Sequence, residues 1–185
     1  MKLILASASP RRKEILTKNG FVFEIVKSDA EEQNLPSAID TAKNNALKKA
    51  EDVFNRLNDS EVVVLGADTV VVIDGKILGK PKTEIEAEEM LKTLSNRTHQ
   101  VITGYAVVYK DNVINDYDVS KVTFNELSTE LIKEYIKTGS PMDKAGAYGI
   151  QDGFPLLKEL NGSLDNVIGL PIEKIKSVLI NALVF

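Results

Sequence analysis

The segment from Val62 to Ile73, Val-Val-Val-Leu-Gly-Ala-Asp-Thr-Val-Val-Val-Ile, constrains the fold more than any other stretch of the chain. Its β-branched, nearly continuous apolar character marks a strand, or a bent pair of strands, in the interior of a sheet. Asp68 interrupts it. An ionised carboxylate in such surroundings persists if it is paired, strongly hydrogen-bonded or holding a cation, and each of these points to a site. The competing reading makes Gly66 to Thr69 a turn between two buried strands, with Asp68 solvated at its tip.

Composition narrows the chemistry that Asp68 could serve. A length of 185 residues fits a single domain over residues 1–185, with a core that needs no cross-links. Cysteine is absent, which excludes disulfides, thiolate nucleophiles and cysteine-ligated zinc. His99 is the sole histidine, so any divalent ion would be a hard one held by oxygen, such as magnesium or manganese. A net charge of -4 argues against a general nucleic-acid or anionic-membrane surface, so a phosphate site would be basic only locally. The apolar run before Arg11 and Arg12 is too short for a signal-peptide core, and Asp68 breaks the longest apolar stretch. A cytoplasmic location is expected.

Strand and helix signals alternate along the chain. Lys2 to Leu5 reads as a buried strand. A helix from Pro10 to about Asn19 follows, with Ser9 as N-cap and Gly20 as stop. Phe21 to Val26 is a second strand, and Ser37 starts a long helix from Ala38 to Leu57. Asp74-Gly75 turns the chain into a short strand at Lys76 to Leu78, and Thr83 with Glu86 opens a helix to Leu94. Val101 to Tyr109 and Val113 to Phe124 form a hairpin about Lys110 to Asn112. Ser128 caps a helix to about Lys137, and a last helix runs from near Pro171 to about Asn181. The pattern predicts an α/β protein with a mixed β-sheet.

Four constellations carry possible chemistry. Ser7-Ala8-Ser9-Pro10-Arg11-Arg12 places two hydroxyls, two guanidinium groups and free backbone N–H groups at a helix start, a cradle for phosphate; otherwise it is a capped helix with solvated arginines. The Walker glycines and lysine are missing. Asp68-Thr69, read as lying near a strand end, offers a carboxylate for a cation or water and a hydroxyl for substrate. Gly79-Lys80-Pro81 is a rigid turn that could aim a lysine at phosphate or be structural alone. Asp143 to Gly153 is glycine-rich and contains Gln151, whose amide matches the imide edge of uracil or thymine, though guanine shows a similar N–H and carbonyl pair; the alternative is a loop that merely turns a corner. His99 reads as structural.

Together with Glu31-Glu32-Gln33, Lys49-Ala50, Leu94 to Gly104, Gly162-Ser163 and Asn166 to Pro171, these segments resemble the Maf family of nucleoside triphosphate pyrophosphatases, in the family's order and over nearly the whole chain. The paired arginines, Thr69 after Asp68 and the Ala147 to Gln151 run are most similar to the branch acting on dTTP and UTP. The resemblance implies an elongated mixed sheet flanked by helices, of the inosine-triphosphatase type. It implies Asp68 as proton acceptor, Arg12, Thr69 and Gln151 as determinants of base specificity, and Ser7, Ser9, Arg11, Lys49 and Lys80 as substrate-binding groups. Glu32 and Asp68 would hold a magnesium or manganese ion, and a homodimer is expected. The same chemistry on a modified guanine nucleotide, or a non-enzymatic nucleotide-binding role in septum formation, are the rival expectations. Departures from the family pattern are Asn96, Leu164 and Asp152, the last expected to add negative charge near a base pocket.

Overall fold

A computed structural model describes residues 1–184. The elements in chain order are β1 (Lys2–Leu5), α1 (Pro10–Lys18), β2 (Phe23–Ile25), α2 (Ala38–Leu57), β3 (Val62–Ile73), β4 (Lys76–Leu78), α3 (Glu84–Leu94), β5 (Thr98–Tyr109), β6 (Asn112–Phe124), α4 (Thr129–Lys137), β7 (Leu157–Asn161), α5 (Leu164–Ile168) and α6 (Ile172–Val184). Seven strands form one mixed sheet in the order β2-β1-β3-β5-β6-β7, with β4 paired to β3. The α/β class with a mixed sheet is as expected. Among the described residues no helix is long and apolar enough to cross a membrane.

The chain divides into two compact units. The first holds residues 1–69, 103–118 and those from Gly169 onward; the second holds residues 70–102 and 119–168. In the first unit β1 runs parallel to both β2 and the opening half of β3, in a register that sets Leu5 opposite Leu65. Its core gathers Ile4, Val62 and Val64 with Ala46, Ala50 and Val53 of α2. In the second unit β4 returns antiparallel on the end of β3 and β7 runs antiparallel to β6. Its core is built on Leu91, Leu94, Phe124, Ile132 and Tyr135.

One expectation about β3 is overturned. Gly66 to Thr69 is neither a turn nor a strand end, because β3 runs unbroken from Val62 to Ile73 and buries nearly every residue. Asp68 therefore sits in mid-strand, only 7% exposed. Two elements lay outside the sequence expectations, β7 and the one-turn helix α5. Between α4 and β7, where a glycine-rich loop was expected, two short 3-10 turns occur at Ser140–Asp143 and Ala145–Ala147.

Candidate active site

The site in the first unit begins with a close approach of helix to sheet. Helix α2 presents Ala42, Ala46 and Ala50, all fully buried, and the strands answer with Gly66 and Gly104. A Cβ on Gly66 would fall on the Ala46 carbonyl oxygen and lie 2.9 Å from the Ala50 nitrogen, while one on Gly104 would strike the Ala42 carbonyl. With no side chain between them, the α2 backbone lies against β3 and β5. Asn45 and Lys49, one turn apart on α2, are thereby delivered to Asp68.

Both oxygens of Asp68 are engaged from that helix. Lys49 Nζ stands 2.8 Å from Asp68 Oδ1, and Asn45 Nδ2 donates to Asp68 Oδ2 at 3.1 Å. Lys49 Nζ also reaches Glu32 Oε1 at 2.7 Å, so one ammonium joins two carboxylates. Burial is graded across the trio: the Asp68 side chain is 10% exposed, Lys49 13% and Glu32 54%. The Asp68 end is thus protected from screening and the Glu32 end opens to solvent. Asn45, 3% exposed, accepts the Gln33 N–H at 2.9 Å, while Lys48 donates to the Gln33 side chain at 2.7 Å. These contacts moor the Glu31 to Gln33 segment on α2 and make Glu32 the residue that reaches Lys49.

Arg12 organises the second half of the same site. Ser9 caps α1 by accepting from Arg12 N at 3.5 Å, with Pro10 in the first turn, as the sequence predicts. Ser7 Oγ accepts from Ser9 N and from Arg12 Nη1, both at 3.2 Å. The Arg12 guanidinium also donates to the Gly169 carbonyl at 2.8 Å and to Thr69 Oγ1 at 3.2 Å. Thr69 Oγ1 in turn lies 2.9 Å from Thr103 Oγ1, which is fully buried. Arg12 is therefore built into the fold rather than solvated. Burial lowers its pKa from the ordinary arginine value, and the Asp68 charge opposes that shift. Arg11, partly buried, follows Pro10 on the first turn of α1.

Lys80 and Gln151 belong to the second unit, and both side chains are exposed. Their segments are joined there by Gly146 N donating to the Gly79 carbonyl at 3.0 Å. Gly146 has φ +70 and faces Val71 at a distance where a Cβ would sit 3.0 Å from both methyl carbons. Only glycine fits. The expected influence of Asp152 takes a different form from free negative charge. Its carboxylate accepts from Tyr135 Oη at 2.6 Å and Ser140 Oγ at 2.7 Å, with Lys144 Nζ at 3.5 Å. His99, on β5, is 2% exposed, and its Nε2 pairs with the Tyr148 hydroxyl at 2.7 Å, edge-on to Phe124. Burial pushes its pKa down to about 4, in keeping with a structural role.

Sequence reasoning missed Asn45, Thr103 and the Gly169 carbonyl. The first had a usable signal, since asparagine is a poor residue for a helix interior and position 45 lies four before Lys49 on the alanine-lined face. The other two depend on strand pairing and loop return, which leave no local mark.

A mixed α/β sheet carrying a buried, lysine-paired carboxylate in mid-strand, beside an arginine and hydroxyl cluster at a helix start, offers the cationic and hydroxyl groups that suit an anion such as phosphate. The chain belongs to the Maf-like protein family, whose profile matches residues 2–182. It is 50% identical over 186 residues to a protein of Alkaliphilus oremlandii named dTTP/UTP pyrophosphatase, covering 97% of this chain and 95% of the relative. A Thermococcus onnurineus protein of the same name is 50% identical over 173 residues, with 92% of each chain covered. Among solved structures, a HAM1 protein from Coxiella burnetii matches with a TM-score of 0.54 at 13% identity, covering 98% of this chain and 100% of that one; the likeness is one of fold.

Proposed function

We propose that this protein hydrolyses dTTP and UTP to the nucleoside monophosphate and pyrophosphate. The observation that carries the reading is the state of Asp68: a carboxylate in the middle of a buried strand, with one oxygen on Lys49 and the other on Asn45. A fold meets the cost of burying that charge when the charge is used, and the names of the two relatives agree in pointing to the use.

In the proposed reaction a water oxygen bonds to the α-phosphorus, the bond to the bridging oxygen breaks, and pyrophosphate leaves. Asp68 accepts the proton that the water gives up. Lys49, Lys80, Arg11 and Arg12 offset charge developing on the phosphate oxygens, and Ser7 and Ser9 supply a hydroxyl and a capped helix start toward the same groups. Arg12, Thr69 and Gln151 are assigned to base choice. The Gln151 amide presents a donor and an acceptor to the imide edge of thymine or uracil.

The donor set at Lys49 suits a hard divalent cation. Two carboxylates, Asp68 and Glu32, already converge on one positive centre, and carboxylate oxygens are what magnesium and manganese prefer. Among the described residues no group of three or more histidines, aspartates or glutamates is gathered for a metal, so Asp68 and Glu32 would hold the ion together with ligands from outside the protein. Such an ion supplies charge stabilisation to the phosphates when bound.

Incubating the purified chain with a panel of nucleoside triphosphates and magnesium or manganese, and measuring pyrophosphate, tests the reading. Release of pyrophosphate from dTTP and UTP in preference to dCTP and dGTP is expected. Turnover restricted to a guanine nucleotide would move the base assignment, and no turnover on any nucleotide would leave a binding protein.

A further inference from the structure

One phenolic oxygen meets both flanks of the Gln151 tip. Tyr135, on α4, is fully buried, and its ring packs on Phe154 with centroids 4.5 Å apart. Its hydroxyl accepts the Gly149 N–H at 2.8 Å and donates to Asp152 Oδ2 at 2.6 Å. The direction of each bond is fixed by chemistry, because a backbone N–H only donates and an ionised carboxylate only accepts. Residues 149 and 152 flank Ile150 and Gln151, so both ends of this two-residue tip meet at one oxygen atom. A further bond, Asp152 N to the Gly149 carbonyl at 3.1 Å, closes the tip on itself.

The clamp has a base of its own. Asp152 Oδ2 also accepts from Ser140 Oγ at 2.7 Å, and Lys144, 8% exposed, bonds the Ser140 carbonyl at 2.6 Å and Asp143 at 2.9 Å. The tip is thereby tied to the chain before it, and Gly146 ties that chain to the Gly79-Lys80 turn. Gly149 permits the arrangement, since a Cβ there would lie 2.8 Å from Asp152 and from Lys144. Burial and the neighbouring Asp152 raise the Tyr135 pKa, so the phenol keeps the proton that the clamp requires.

We infer that Tyr135, acting through Gly149 and Asp152, is a positioning residue for nucleotide base selection, fixing the backbone on either side of Gln151. The inference rests on the assignment of Gln151 to base choice. An amide carried on an unclamped tip samples many orientations, and a planar donor-acceptor pair discriminates between bases only while its orientation is held. Tyr135 touches neither base nor phosphate in this account.

The test compares kcat/KM for dTTP with that for dCTP, whose base lacks the imide N–H, in the wild type, Tyr135→Phe, Gln151→Ala and the double variant. Phenylalanine keeps the ring packing and removes one oxygen. The expected result is a fall in the dTTP preference of about tenfold in Tyr135→Phe, with kcat for dTTP changed by less than about threefold. In the double variant the preference should fall no further than in Gln151→Ala alone, as two groups on one path require. If Tyr135→Phe does not fold by circular dichroism, Asp152→Ala, which opens the other half of the clamp, is read by the same ratio. A preference retained in the clamp variant while Gln151→Ala loses it overturns the clamp alone. A preference retained in Gln151→Ala overturns the base assignment and the clamp with it.

Discussion

Asn45 can hold Asp68 in one way only. Its Oδ1 is taken by the Gln33 N–H at 2.9 Å, so the amide must turn its NH2 to Asp68 Oδ2, 3.1 Å away. That donor couples the position of Asp68 to that of the Glu32 segment.

Replacing Asn45 with aspartate keeps the shape and the acceptor for Gln33 but sets a second carboxylate against Asp68. The two carboxylates repel while both are ionised, and the repulsion is relieved when the introduced one takes up a proton. Stability conferred by that proton is present at low pH and is lost as pH rises through the carboxylate range. Asn45→Asp should therefore lie closer to wild type in thermal midpoint at pH 4 than at pH 8, measured by calorimetry in chelator. An equal deficit at both values would mean that the two carboxylates do not meet.

Gly66→Ala should damage fold and site together. The added methyl has nowhere to go but into the α2 backbone, and overpacking of this kind costs about 1–3 kcal/mol or more. Because Asn45 and Lys49 ride on the displaced helix, turnover should fall by at least about tenfold even where the protein remains folded. Wild-type kinetics in a folded Gly66→Ala protein would contradict the small-residue contact as the means of delivery.

His99 predicts an acid-labile second unit. Its pKa is about 4 in the fold against a reference of 6.5, so between those values the unfolded chain binds more protons than the native one. Stability is complete above the reference value and declines as pH falls toward 4, by up to about 3 kcal/mol. In His99→Gln, the part of the pH dependence of urea unfolding between pH 6.5 and 4 that belongs to this group should disappear. An identical pH slope in the variant would assign it elsewhere.

Much of this architecture is legible in the sequence because its signals are local. Ser9, Ser37, Thr83 and Ser128 all cap helices as their spacing suggests, and Asp74-Gly75 turns β3 into β4. The miss at β7 has a physical reason: Leu157 to Asn161 is largely exposed, so it lacks the apolar alternation by which strands are recognised. Placing Asp68 at a strand end followed the rule that charges avoid buried strands. The rule yields here because Lys49 and Asn45 arrive from a helix in contact with β3, and neither pairing can be read from the strand itself.

Asp68 is proposed to perform chemistry rather than packing. The direct measurement is the initial rate of pyrophosphate release from dTTP, with saturating magnesium, by wild type and by Asp68→Asn of equal circular dichroism. Asparagine preserves the shape and an oxygen for Lys49 while abolishing the proton acceptor. A loss of at least about a thousandfold is expected, within the range of general-base catalysis. A variant that retains its rate within about threefold would contradict it.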